Sequence, residues 1–280
     1  MQQVRRYSPQ NNQKFSKLFI EIARGFVEGK DLAWRLFVRD VKASYRKSFL
    51  GFFWMFLPPL ATAGVWIFLN QRQVVTIKET PMHYTAYVLC GTILWSLFAE
   101  AINKPIQRYQ GAMGMMAKLN FPRESLILAS FYDLIYSLCL KLLVLIPILW
   151  ALGYPPGIHF FLVFPAIFML LLVGISLGVF LSPLGLLYND IGRALPIVLP
   201  FLMYFCPVIY PLQESGKSGM LRFLNPVTPF LENARSLMGN YAFELQTELA
   251  VWSAITVLFF LLGLLVLKIA LPIIVERSGG

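Results

Sequence analysis

Charge is scarce in this chain: Asp, Glu, Lys and Arg make up 14% of its 280 residues, while 58% are hydrophobic. Ordinary soluble domains carry roughly 25% charged residues. A soluble domain this apolar lacks the polar surface to cover its core, whereas a bilayer solvates apolar outer faces directly. Cysteine and histidine are scarcer still. Cys90, Cys139 and Cys206 all sit in apolar runs without metal-ligand spacing, and His83 and His159 stand far apart. A disulfide framework and a zinc site are thereby excluded. HExxH, paired carboxylates at metal spacing and a serine nucleophile elbow are also missing. Gly216-Lys217-Ser218 resembles the end of a phosphate-binding loop, but Pro211 stands where that pattern needs glycine. The basic N-terminus is not followed by a short apolar stretch with a small-residue cleavage site, so it does not read as a signal peptide.

What the chain has is long apolar runs. Six separate: about 51–69, 84–99, 126–152, 160–187, 194–210 and 249–271. Six crossings of about 20 residues fit this length with short loops to spare. The expectation is an all-α integral membrane protein with six transmembrane helices. Residues 1–50 form a cytoplasmic N-terminal segment, 51–272 one membrane domain, and 273–280 a cytoplasmic tail. The second and fifth runs are short for a full crossing and either tilt little or use flanking aromatics to reach the interface.

The net charge of +10 is distributed as topology rather than as a nucleic-acid footprint. Eleven of the 24 Lys and Arg precede residue 51, and no nucleic-acid recognition motif accompanies them. With the N-terminus inside, the inner segments hold eighteen Lys and Arg and the outer ones five. Both termini are therefore expected to be cytoplasmic. Within Asn12–Glu28, Phe15, Leu18, Phe19, Ile22 and Phe26 recur at helical spacing with charges on other faces. This predicts an amphipathic helix, lying either in the membrane interface or against protein. A second helix, about Asp31–Lys47 with Asp31 as N-cap, leads into the first span. The basic loop Ile102–Ser125 is long enough for a short helix. Pro211–Glu248, broken by glycine and proline, is expected to dip into the membrane or pack on it as short pieces.

Asp133 and Lys141 are the ionisable residues read inside a span. Eight helical residues place them about 80° apart and about 12 Å along the axis, so each needs a partner other than the other. An ion-driven transporter carries more buried charge than this, which puts the energy source outside the chain. Aromatics are 15% of residues and serve either as interfacial belts or as a pathway whose ring faces meet sugar C–H groups.

Five ordered segments carry a resemblance. They are Arg39-Asp40-Val41-Lys42-Ala43-Ser44-Tyr45-Arg46-Lys47-Ser48-Phe49-Leu50-Gly51-Phe52-Phe53-Trp54 with Pro58; Lys118-Leu119-Asn120-Phe121-Pro122-Arg123; Tyr188-Asn189-Asp190-Ile191; Cys206-Pro207-Val208-Ile209-Tyr210-Pro211; and Leu224-Asn225-Pro226-Val227-Thr228-Pro229. Together they resemble the type-2 ABC export permeases that move bacterial polysaccharides such as O-antigen, capsule or teichoic acid. Asn189 stands where arginine is common in that family and Cys206 where serine is common.

The resemblance implies a homodimeric permease subunit that binds two copies of a separate ATPase. That partner, not this chain, would hold ATP and Mg, and the chain itself would have no enzymatic activity and no cofactor. It implies ATPase coupling through Met113, Met116, Lys118, Leu119, Asn120, Phe121 and Arg123. It implies an external gate that includes Asn225, Pro226 and Pro229. The substrate class that the resemblance implies is a polyprenyl-diphosphate-linked glycan in the bacterial cytoplasmic (inner) membrane. Arg39, Lys42, Arg46 and Lys47 are the candidate diphosphate ligands, and Tyr132, Tyr136, Tyr204 and Tyr210 the candidate glycan pathway. Two alternatives stand beside this reading. One is a type-2 permease for a drug or lipid. The other is a membrane-embedded enzyme acting on lipid-linked sugars, for which Asp133 and His159 are poor catalysts.

Overall fold

The computed structural model describes residues 15–46, 49, 51–75, 77, 79–211 and 225–278. Nine α-helices and no strand occur among the described residues. In chain order they are α1 (Phe15–Glu28), α2 (Lys30–Tyr45), α3 (Phe53–Gln71), α4 (Tyr84–Lys118), α5 (Glu124–Ala151), α6 (Val163–Leu187), α7 (Asn189–Leu202), α8 (Val227–Gly239) and α9 (Gln246–Ser278). Five of them, α3, α4, α5, α6 and α9, are long and apolar enough to cross a membrane.

The run expected as a fifth span, 194–210, divides differently. Its helix starts earlier, at Asn189, lasts 14 residues, and passes through a short 3-10 turn at Met203–Phe205. Pro196 and Pro200 lie inside it and Pro207 follows, and each proline removes a backbone donor. At 1.5 Å per residue α7 is only about 21 Å long.

α4 is the hub. It extends about 52 Å and packs against α3, α5, α6, α7, α8 and α9. The basic stretch expected as a loop, 102–125, is mostly the continuation of this helix to Lys118, and only Leu119–Arg123 link it to α5. Two features keep the helix going. Ala101, Ile102, Pro105, Ile106, Tyr109, Ala112 and Met116 form a buried stripe at helical spacing. The polar side chains between them find partners inside the protein: Gln110 Nε2 donates to Gly185 O at 2.7 Å. The α4–α6 contact is close because α6 is small where they cross. A Cβ added at Gly178 would lie 2.5 Å from the Ile102 carbonyl oxygen. Small residues permit such approach between membrane helices, where van der Waals contact drives association.

α1 turns Ile22 and Phe26 inward and leaves Glu21, Arg24 and Glu28 exposed, and it packs against α5 and α9. α2 begins at Lys30 with Gly29 at its N-cap. Asp31 is therefore not the cap; it sits in the first turn, where a carboxylate favours the positive end of the helix dipole. Large apolar side chains such as Phe53, Leu57, Phe68, Ile197 and Phe201 are exposed along α3 and α7. α8 buries both polar and apolar residues against α4, α6 and α9.

Candidate substrate cavity and a buried arginine clamp

An open cavity of about 760 Å³ lies where α2, the start of α3, α4 and α5 meet. Its charged lining is balanced: Arg39, Lys104 and Arg108 face Asp40, Glu100 and Asp133. Arg108 is the keystone. Its Nη1 donates to Asp40 Oδ2 at 2.9 Å and its Nη2 donates to Asp133 Oδ2, so one planar guanidinium ties α2, α4 and α5 together. Guanidinium suits this task because it presents donors in several fixed directions. Asp40 also accepts from Arg39 Nε at 2.8 Å. Lys104 is held loosely, 3.9 Å from Asp133 with 36% of its side chain exposed.

Asp133 and Lys141 do not pair with each other. Asp133 pairs with Arg108 and, more distantly, with Lys104. Lys141 Nζ donates to Glu100 Oε1 at 2.5 Å and to Ser96 Oγ at 2.9 Å. The sequence reading placed Glu100 just past the end of a span and Arg108 in a loop, and so missed both.

Of the candidate diphosphate ligands, Arg39 lines this cavity, whereas Lys42 and Arg46 are exposed on and just beyond α2 and do not. Lys47 lies outside the described residues. The four pathway tyrosines fall into two groups rather than one track. Tyr132 and Tyr136 pack edge-on to Phe37 of α2, and Tyr136 lines the cavity. Tyr204 packs on Trp66 near the other end of α3, and Tyr210 Oη donates to the Tyr204 carbonyl.

At the end of α4 nearest this cavity, the link between α4 and α5 forms an exposed tip. Lys118, Leu119 and Asn120 are exposed, with Leu119 at 61%. Phe121 and Arg123 are half-buried, as is Met113, and Met116 is buried. Met116 therefore supports the tip rather than presenting itself. Tyr109 Oη donates to Arg123 O at 3.0 Å, fixing the link to α4. Next to it, Lys268 Nζ of α9 donates to Glu124 Oε1 at 2.6 Å. A Cβ added at Gly25 of α1 would fall 2.5 Å from Glu124 Oε2. The tip, α1 and α9 thus converge on one ion pair at the start of α5.

At the opposite end of α4 lies a clamp that sequence reasoning also missed. Arg235 of α8 is fully buried. Its Nη2 donates to Pro207 O at 2.8 Å and Val208 O at 3.2 Å, and its Nη1 donates to Glu232 Oε1 at 2.9 Å. Its guanidinium carbon sits 3.7 Å from the centroid of the Tyr87 ring, a cation–π contact strengthened by desolvation. Tyr87 Oη and Tyr241 Oη both reach the Glu232 carboxylate, at 3.2 and 3.1 Å. Burial, and then the Glu232 charge, push the Tyr241 phenol well above its ordinary pKa, so it stays neutral and donates. Gly91 allows the approach: a Cβ there would lie 2.1 Å from Val208 O. Asn225 joins the same assembly. Its Nδ2 donates to Phe205 O at 3.2 Å and to Cys206 Sγ at 3.0 Å, while its Oδ1 accepts from Val227 N. Pro226 precedes α8 and Pro229 is buried in its first turn. The two proline-rich elements are therefore bonded to each other and, through Arg235 and Tyr87, to α4.

Comparison with known proteins adds a family. The family described as ABC-2 type transporter matches residues 31–239. The O-antigen export system permease protein RfbA of Myxococcus xanthus is 24% identical over 243 residues, covering 85% of this chain and 92% of that protein. An RfbA permease of Klebsiella pneumoniae is 22% identical over 205 residues, covering 72% and 78%. The polysialic acid transport protein KpsM of Escherichia coli is 22% identical over 231 residues, covering 79% and 86%.

Proposed function

Because the chain belongs to the ABC-2 type transporter family and is an integral membrane protein, we propose that it is the permease subunit of an ATP-driven exporter. Its cargo is a polysaccharide carried on polyprenyl diphosphate. Two copies of the chain pair with two copies of a separate ATPase, which binds and hydrolyses ATP. The Asn189–Tyr210 segment serves as the fifth of six crossings, which leaves both termini in the cytoplasm. α1 lies along the inner membrane surface. Relatives named for O-antigen and polysialic acid support the cargo class.

The observation that carries this reading is the 760 Å³ cavity. It combines cations, carboxylates and aromatic rings in one place, as a ligand with a charged head and a sugar requires. Ionisable groups at such depth mark substrate pathways. Arg39 and Lys104 are the cations free enough to take the diphosphate, since phosphate is held by paired charged donors. Arg108 keeps the walls in register.

Coupling follows from the convergence at Glu124. Closure of the ATPase dimer moves the Leu119 tip and α1 together. α4, continuous from the tip to Gly91, carries that movement past the cavity to the Arg235 clamp, which acts as the external gate. This is rigid-body switching between two packed states.

The test is reconstitution of the chain with its ATPase in lipid nanodiscs. ATP hydrolysis is expected to rise severalfold with polyprenyl-diphosphate-linked glycan and not with hydrophobic cationic drugs. Stimulation by drugs alone would replace this cargo with another. Insertion of one glycine between Lys118 and Leu119 is expected to abolish the stimulation, because it lengthens the short extended link between α4 and α5 and shifts the exposed tip relative to both helices. Undiminished stimulation in that variant would remove the tip from the coupling route.

A further inference from the structure

Glu100 lines the cavity and pairs with the buried Lys141 behind it, and the coupling account uses neither. Glu100 lies about 24 Å along α4 from its first residue, in the middle of a membrane-crossing helix. Lys141, in the middle of α5, has no exposed surface. Buried ion pairs of this kind add little stability over apolar residues of equal size, so stability alone does not account for them.

Their geometry does. Each carboxylate oxygen of Glu100 has its own fixed donor: Lys141 Nζ on Oε1 at 2.5 Å and Ser137 Oγ on Oε2 at 2.6 Å. Ser96 Oγ in turn positions the ammonium. An ionised carboxylate offers about four acceptor positions, and two are used here. The side chain keeps 27% of its surface exposed and lines the same cavity as Phe52, Trp54 and Tyr136. The result is a charged acceptor locked in one orientation in a cavity whose lining includes aromatic rings. That is the combination that binds a sugar, whose hydroxyls donate and whose C–H faces rest on aromatic surface. Lys104 is one helical turn away on α4, a rise of about 6 Å, so the carboxylate and a candidate phosphate ligand share one face of the helix and one cavity.

We propose that Glu100 is a sugar-binding residue of this cavity, accepting hydrogen bonds from hydroxyls of the sugar directly attached to the diphosphate, with Lys141 and Ser137 as its positioning residues. The proposal rests on the reading of the chain as an exporter of diphosphate-linked glycan. It makes the cavity selective for glycan-loaded carrier over the bare carrier lipid.

The reconstituted complex tests it with two probes, polyprenyl diphosphate and the same lipid bearing one hexose residue. In the unaltered complex the hexose-bearing lipid is expected to stimulate ATP hydrolysis at a concentration at least tenfold lower than the bare lipid. In Glu100→Gln, which keeps the shape and loses the charge, that advantage is expected to fall to less than threefold while the response to bare lipid shifts less than twofold. Ser137→Ala, which frees one carboxylate oxygen without touching the ion pair, is expected to give an intermediate loss and covers the case in which Glu100→Gln does not fold. Equal shifts for both lipids in both variants overturn the proposal and leave Glu100 a packing residue. Equal affinity for the two lipids in the unaltered complex also overturns it, with the exporter reading intact. If the unaltered complex answers neither lipid, the exporter reading itself fails and this proposal with it.

Discussion

Replacement of Arg235 by methionine is expected to abolish export and to lower the thermal stability of the detergent-solubilised protein. Arg235 fills its site completely and donates to Pro207 O, Val208 O and Glu232 Oε1. Methionine approximates its apolar volume and supplies none of these donors. Two carbonyls then lose a buried partner and Glu232 keeps a charge with only phenolic donors around it. Breaking a buried pair by removing one partner costs about 3–5 kcal/mol, a large fraction of the total stability of most domains. Two further variants separate charge from geometry. Arg235→Met combined with Glu232→Gln removes the stranded charge and is expected to recover part of the stability but not export, because Pro207 and Val208 stay untied from α8. Arg235→Lys keeps the charge but lacks the planar fork that reaches two carbonyls and stacks on Tyr87; it is expected to fall between. Wild-type melting and export in Arg235→Met would show that the clamp holds nothing that matters.

Arg108→Gln is expected to produce the second large effect, a loss of export of at least tenfold. Asp133, almost fully enclosed, would keep only Lys104 at 3.9 Å, and Asp40 would lose its tie to α4. α2 and α5 would then no longer be held in register around the cavity. The companion variant Arg108→Gln with Asp133→Asn removes the uncompensated buried charge, so its folded yield is expected to recover. Its export is expected to stay low, because Asp40 on α2 still has no partner on α4. Full recovery of export in the double variant would reduce Arg108 to a counter-charge for Asp133 and remove its role as a bridge between helices.

Hydropathy alone located the long apolar segments, because lipid-facing helices must be apolar whatever their partners. It failed where polar side chains are satisfied inside the protein. Lys104 and Arg108 look like loop residues in sequence, yet they project into a charged cavity from a helix that continues to Lys118. The signal that could have shown this was the apolar stripe from Ala101 to Met116, which crosses the supposed loop at unbroken helical spacing. Lys141 was legible as an intramembrane charge, but Glu100 is 41 residues away in sequence and only the packing of α4 on α5 brings them together. Glu232 and Arg235 sit three apart on an otherwise uncharged helix, a visible local pair. Their contacts with Tyr87 and with the Pro207–Val208 carbonyls depend on how α8 docks, which no local pattern encodes. The candidate pathway tyrosines were chosen by type and by run, and type does not say which end of a helix bundle a ring occupies.

The most direct test of the central claim is depletion of this protein in its native host, followed by quantification of polyprenyl-linked glycans and of surface polysaccharide. The account predicts that long lipid-linked glycan accumulates inside the cell while one surface polymer is lost, and the identity of that polymer names the cargo. Unchanged surface polysaccharide together with unchanged lipid-linked precursors would contradict the account.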